Sequence, residues 1–254
     1  MSLATRTTAI SIGVLGLAVA AAAFAQREPV LKQIDLPHTY YFREMYLPQL
    51  TSGPSSVAWS PDGKSLVYSM AGSLWRQEIG SDKATELTHG PGYDYQPDWS
   101  PDGKHIVFVR HHLNAINLWQ FDVAAGEPRQ LTDSADVYLE PRYSPDGTRL
   151  AFVSTGGTGH FNLFVAPFEN GSYGGTPRMV LAPHESKIAR YYYSKHDHTI
   201  NPSWTPDGRR LVFVSNREIA YGTGDLCSAA IDGSDFRCFL HEGTRPTRMR
   251  PRRS

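Results

Sequence analysis

A short turn signature recurs four times along this chain. It reads Trp59-Ser60-Pro61-Asp62-Gly63, Trp99-Ser100-Pro101-Asp102-Gly103, Tyr143-Ser144-Pro145-Asp146-Gly147 and Trp204-Thr205-Pro206-Asp207-Gly208, at spacings of 40, 44 and 61 residues. A β-rich run follows each copy: Leu66-Val67-Tyr68, Ile106-Val107-Phe108-Val109, Leu150-Ala151-Phe152-Val153 and Leu211-Val212-Phe213-Val214. Next comes a Leu-aromatic pair, Leu74-Trp75, Leu118-Trp119 and Leu163-Phe164, with Leu226-Cys227 in the fourth copy. Units close near a Leu-Thr step, Leu87-Thr88 and Leu131-Thr132, and Leu50-Thr51 stands at the entrance to the first.

The signature has turn chemistry. Ser bonds the turn backbone, Pro presets φ near −65°, Asp tolerates the next position and Gly supplies a left-handed residue. This predicts a three-residue hairpin loop between antiparallel strands, with the preceding aromatic and the following apolar run facing inward. Further turns at Gly80-Ser81-Asp82, Ala125-Gly126-Glu127 and Asp232-Gly233-Ser234 give four strands in about 40 residues, the period of a propeller blade. The fold class is all-β: a β-propeller of four-stranded blades, about four of them present.

With these residues the chain resembles the TolB-like (WD-repeat-related) β-propellers of bacterial periplasmic proteins, over about residues 50–240. Leu50-Thr51-Ser52-Gly53-Pro54, Gly90-Pro91-Gly92-Tyr93-Asp94-Tyr95-Gln96-Pro97 and Arg190-Tyr191-Tyr192-Tyr193-Ser194 resemble the propeller that precedes an amidohydrolase domain in certain secreted bacterial proteins. The resemblance implies a rigid exported scaffold that binds a protein or peptide. Cys227 departs from the repeat, and so does the ending. After Phe239-Leu240-His241 a fifth signature is due, but residues 241–254 form an Arg/Pro-rich tail with no apolar periodicity. The expectation is an incomplete propeller that lacks C-terminal blades and a hydrolase domain; the alternative is a complete four-bladed ring with a basic tail.

Residues 1–25 read as a secretory signal. Arg6 is the positive n-region, Ala9–Ala23 the apolar run and Ala23-Phe24-Ala25 the cleavage pattern. Residues 26–49 are a lead-in, and the expected location is periplasmic or secreted, with no membrane span after cleavage. The chain has 25 Lys and Arg against 25 Asp and Glu, but residues 26–244 hold 19 cations and 25 acids. A body of that sign argues against nucleic acid as a partner.

Export makes Cys227 and Cys238 candidates for a bridge. A two-residue Asp232-Gly233 turn places them directly across from one another, which permits a disulfide where register and pair type suit its geometry. His196-Asp197-His198 has the His-x-His form of a metal site, but no βα alternation surrounds it, so a structural place in a Tyr/His-rich inter-blade loop is expected. Tyr191, Tyr192, Tyr193, His196 and His198 are the candidate ligand or partner loop. In Asn170-Gly171-Ser172-Tyr173-Gly174-Gly175 the first Gly of a nucleophile elbow is missing and no helix follows, so it reads as a turn before a strand over 176–181. Pro61, Asp62, Gly63, Pro101, Asp102, Gly103, Pro145, Asp146, Gly147, Pro206, Asp207 and Gly208 are assigned to turns. No catalytic residue, metal ligand or cofactor site is assigned. The expected function is a non-catalytic binding propeller; the alternatives are a piece of a metal-dependent amidohydrolase lacking its barrel, or a TolB-like cell-envelope component.

Overall fold

A computed structural model describes residues 53–169, 171–186, 196–217 and 224–240. All regular structure among them is β, in four antiparallel sheets arranged as the four blades of a propeller. Blade 1 is β1 (Ser55–Trp59), β2 (Ser65–Met70), β3 (Ser73–Glu78) and β4 (Ala84–Glu86). Blade 2 is β5 (Tyr93–Trp99), β6 (His105–His112), β7 (Ala115–Asp122) and β8 (Glu127–Gln130). Blade 3 is β9 (Tyr138–Tyr143), β10 (Arg149–Ser154) and β11 (Asn162–Glu169), with two short outer strands on β11, β12 (Ser172–Tyr173) and β13 (Arg178–Met179). The run expected over 176–181 is therefore a two-residue strand. Blade 4 is β14 (Thr199–Trp204), β15 (Arg210–Ser215), β16 (Asp225–Ala230) and β17 (Arg237–Leu240). The first strands pack in sequence, β1 on β5, β5 on β9 and β9 on β14.

The repeated turns are alike in their hydrogen bonds. Ser60 Oγ donates to Asp62 Oδ1 at 2.7 Å and accepts the Ser65 N–H at 2.9 Å, while the Gly63 N–H reaches the Ser60 carbonyl at 2.9 Å. Ser100, Ser144 and Thr205 repeat the bond to Asp102, Asp146 and Asp207 at 2.6, 2.5 and 2.6 Å. Each Gly is left-handed, with φ of 66°, 72°, 72° and 65°. The loop is one residue longer than the three expected. Trp59 pairs with Leu66 and the Ser60 N–H bonds the Ser65 carbonyl, so residues 61–64 form the connection. The extra residue is held because the Lys64 N–H turns to Asp62 Oδ1 at 3.1 Å instead of joining the ladder. These hydroxyl bonds, followed by the backbone N–H bonds, hold the Asp62, Asp102 and Asp207 carboxyls below their ordinary range; that of Asp146 falls to about 2.

The core lies between blades rather than within them. One apolar layer joins Val67 and Leu74 of blade 1 to Trp99, Ile106, Phe108 and Phe121 of blade 2. A second joins Val107, Val109 and Leu118 to Leu139, Tyr143, Leu150 and Phe152. A third joins Ala151, Leu163 and Val165 to Leu211, Phe213, Cys227 and Ala229. The signature aromatic enters the preceding layer, so Trp99 and Tyr143 are 7% and 8% exposed. Trp59 was expected to face inward as well but is 60% exposed, because no blade among the described residues stands before blade 1.

Cys227 and Cys238 pair across β16 and β17 and form a disulfide. The connection is longer than two residues: a turn closed by the Gly233 N–H on the Ala230 carbonyl is followed by left-handed Asp235, and β17 begins at Arg237. Register explains the departure from the repeat. Trp75, Trp119, Phe164 and Cys227 lie opposite Tyr68, Phe108, Phe152 and Phe213 respectively. In blade 4 the bridge stands where the other blades have a ring, and Phe236 stacks on Phe213 at 6.2 Å beside it. Closing so short a loop stabilises by about 2–3 kcal/mol. Replacing both cysteines with Ala is expected to cost that much in urea unfolding; a loss under about 0.5 kcal/mol would mean that Phe236 holds the outer strand unaided.

Candidate functional site

The inner strands share an irregularity. Ser56, Gln96, Glu140 and Asn201, each three residues before the signature aromatic, have φ of 50°, 51°, 54° and 55° and sit at bulges in the inner-strand ladders. Three of them precede a proline, Pro97, Pro141 or Pro202. A non-glycine residue in this region costs of order 1–3 kcal/mol and persists only where its surroundings over-determine it. At Glu140 and Asn201 the neighbouring blade does so. Gln96 Oε1 accepts the Glu140 N–H at 2.9 Å, and the Glu140 carboxylate accepts the Asn201 N–H in turn. A parallel link runs from the Tyr143 N–H to Asp98 Oδ2 at 2.8 Å. Gln120 Nε2 donates to Tyr143 Oη at 2.9 Å. Burial pushes the Asp98 carboxyl up to about 6, against the opposing pull of Arg142 and the backbone donors. Burial likewise raises Glu140, which the Asn201 N–H and Arg142 oppose.

The two ends of the propeller differ in chemistry. One carries the signature turns, with Ser, Asp and Gly engaged within each turn. The other, where the inner strands begin, gathers imidazoles and tyrosines. His111 faces Tyr93 across β5 and β6, with His112 next to it. His160 precedes β11 and His196 and His198 lead into β14; the His160 and His196 rings stack at 3.8 Å, with His198 edge-on to His160 at 6.4 Å. Burial, and secondarily His196, hold the His160 imidazole below its ordinary range. His184 Nδ1 pairs with the Asp197 carboxylate, and Glu185 bridges His196 through the backbone. Next to this end Arg110 forms a bidentate pair with buried Asp94 at 2.6 and 2.7 Å and lies over the Trp119 ring at 4.5 Å.

Of the candidate loop, His196 and His198 come together in this cluster, while Tyr191, Tyr192 and Tyr193 lie outside the described residues. His160 and His184, distant in sequence, are the members that spacing alone did not reveal. The bulge residues were missed too, although the recurring Xaa-Pro step two residues before the aromatic is a readable signal. Among the described residues, no group of three or more His, Cys, Asp or Glu is placed to hold a metal ion, and no helix is long and apolar enough to cross a membrane. Ser172 lies on β12, paired with Glu169, and its hydroxyl has the Arg129 guanidinium at 3.4 Å. Asn170, the signal segment 1–25, the lead-in 26–49 and the tail 241–254 are outside the described residues.

Blades, inner-strand bulges and signature turns together define a TolB-type propeller. Residues 43–176 match the TolB beta propeller domain (PD40), and the chain belongs to that family. The Tol-Pal system protein TolB of Francisella tularensis subsp. holarctica is 29% identical over 198 residues, covering 76% of this chain and 42% of that protein. Its counterpart from subsp. mediasiatica is 30% identical over 187 residues, covering 72% and 40%. The chain thus spans about two fifths of the length of these TolB relatives. Among solved structures, TolB from Acinetobacter baumannii has a TM-score of 0.59 at 19% identity, covering 74% of this chain and 44% of that one. A Mycobacterium tuberculosis puromycin-hydrolyzing peptidase has a TM-score of 0.52 at 21% identity, covering 70% and 28%. At these identities the likeness is one of fold.

Asp98 supplies a pH test. Its folded pKa, about 6, lies above the ordinary 3.8, so its contribution to stability is full below pH 3.8 and is lost as pH rises through about 6. Asp98→Asn keeps an acceptor for the Tyr143 N–H and removes the titration. Relative to wild type, the variant is expected to gain roughly 1–3 kcal/mol in urea unfolding between pH 4 and pH 7. A difference that does not change with pH would contradict this assignment.

Proposed function

We propose that the chain is an exported, non-catalytic β-propeller that binds a protein or peptide at its imidazole- and tyrosine-rich end. The observation that carries this reading is the asymmetry of the two ends. The signature residues are consumed in turn bonds, whereas half-buried His112, His160, His196 and His198 lie where the inner strands begin, over buried Tyr93 and His111. Loops on a rigid scaffold are the common place for recognition, and rings offer large contact area at low entropic cost. The periplasm is the compartment implied by the signal segment.

A second reading, a component of a cell-envelope assembly, is favoured by the match to Tol-Pal system proteins over about three quarters of this chain. Under it, the same end docks an envelope protein. The amidohydrolase-associated reading adds a hydrolase domain as partner and leaves these blades without chemistry of their own.

Selection of a displayed random-peptide library on the purified full chain tests the binding reading. Enriched peptides are expected to lose at least tenfold in affinity to His198→Ala or His160→Ala and to keep their affinity for Asp62→Asn at the opposite end. Absence of enrichment over a scrambled library, or equal affinity for all three variants, would overturn it. Co-purification of an outer-membrane lipoprotein from envelope extracts, lost in the same two variants, would favour the envelope assembly.

A further inference from the structure

The junction between blades 2 and 3 departs from the repeat at two facing positions. The signature aromatic is tryptophan in the other three copies and Tyr143 here. Across from the valine that opens the central run, Val67 or Val107, blade 1 has Arg76 and blade 2 has Gln120. Arg76 lies over the Trp99 ring at 5.9 Å, whereas Gln120 Nε2 donates to Tyr143 Oη at 2.9 Å. The Gln120 amide is oriented from its other side. Arg129 can only donate, and its guanidinium reaches Gln120 Oε1 at 3.0 Å and the Gly171 carbonyl. Gln120 must then present its NH2 to Tyr143, so Tyr143 Oη is the acceptor and its own hydrogen points elsewhere. Gly171 makes room for this clamp: a Cβ there would stand 2.7 Å from Gln120 Oε1.

Tyr143 is 8% exposed, and its hydroxyl hydrogen meets no acceptor among the described residues. It borders an open cavity of about 480 Å³ between the signature turns of blades 2 and 3, a size within the range of small-molecule sites. Asp102 and Asp146 stand at the same cavity. In each carboxylate Oδ1 serves the turn, while Oδ2 faces a cation, Lys104 at 3.8 Å or Arg149 at 3.3 Å. The serine hydroxyls, first among the turn bonds, hold both carboxyls below their ordinary range, so both are ionised at neutral pH. Burial raises the Tyr143 hydroxyl, which keeps it a donor.

A ligand here must accept from Tyr143 and donate to the two carboxylates. An anion would meet Asp102 and Asp146, and a cation would meet Lys104 and the outward hydrogen of Tyr143. An uncharged group that donates and accepts at neighbouring atoms meets neither penalty. Vicinal hydroxyls do so, and the C–H face of a sugar ring suits Pro101 and Phe168, which also line the cavity. We propose that this cavity binds a neutral saccharide, one ring hydroxyl accepting from Tyr143 Oη and its neighbour donating to Asp102 Oδ2. The site lies at the turn end and does not depend on peptide binding at the imidazole end.

Saturation-transfer difference NMR on the purified full chain tests it, with D-glucose, D-galactose, D-mannose and N-acetyl-D-glucosamine as probes at millimolar concentration. At least one of the four is expected to show transfer. Its affinity should fall at least about tenfold in Tyr143→Phe and in Asp102→Asn, the worth of one hydrogen bond, and hold in Asp207→Asn on the blade 4 turn. Tyr143→Phe keeps the ring packing and Asp102→Asn keeps Oδ1 for the turn, so both should retain the wild-type circular dichroism; if one does not fold, the other carries the test. No transfer from any of the four sugars, or an affinity unchanged in either folded variant, would overturn the proposal. Acetamide binding without sugar binding would also overturn it and assign the cavity to an amide side chain of a peptide.

Discussion

The inner strands β9 and β14 each place a backbone amide at a strained bulge and leave the neighbouring blade to satisfy it. The Glu140 and Asn201 amides, both at positive φ, are capped by the side chains of Gln96 and Glu140 from the blade before. Strain of this size in several strands is tolerable only when the caps are in place. The capping side chains of Glu140 and Asp98 lie buried between blades, and that burial raises both carboxyl pKa values. The blade is therefore not the unit of stability. The interface is, and the apolar layers lie between sheets for the same reason.

The two ends of the propeller carry different residues. At the turn end, Ser, Asp and Gly close each hairpin on itself, and proline stacks on the next glycine. At the opposite end the loops leading into β11 and β14 bring His160, His196 and His198 together across blades 3 and 4. The fold is shared with hydrolases and binding proteins alike, so function is argued from a site and not from the propeller.

Local chemistry was readable in the sequence; contacts across blades were less so. Ser60-Pro61-Asp62-Gly63 encodes its own turn within five residues, so four blades and their strand order follow from four copies. Reading missed one residue of the loop because the Lys64 amide bonds a side chain two positions back instead of the ladder. The opposition of Cys227 and Cys238 was legible because hairpin register is arithmetic, although the turn between them is longer than two residues. The clasp was not legible: Gln96 and Glu140 are 44 residues apart and Glu140 and Asn201 61 apart, and only the recurring Xaa-Pro step hinted at the bulge. His160 and His184 join His196 and His198 for the same reason, through packing of loops from separate parts of the chain.

Native-state hydrogen exchange tests the central claim most directly. If inter-blade capping holds the propeller together, the amides of Glu140, Tyr143 and Asn201 exchange only with global unfolding, at the same free energy as the central-strand amides of Phe108 and Phe152. If those three amides exchange by local opening, several kcal/mol below the central strands, the bulges are independent of their neighbours and the account is wrong.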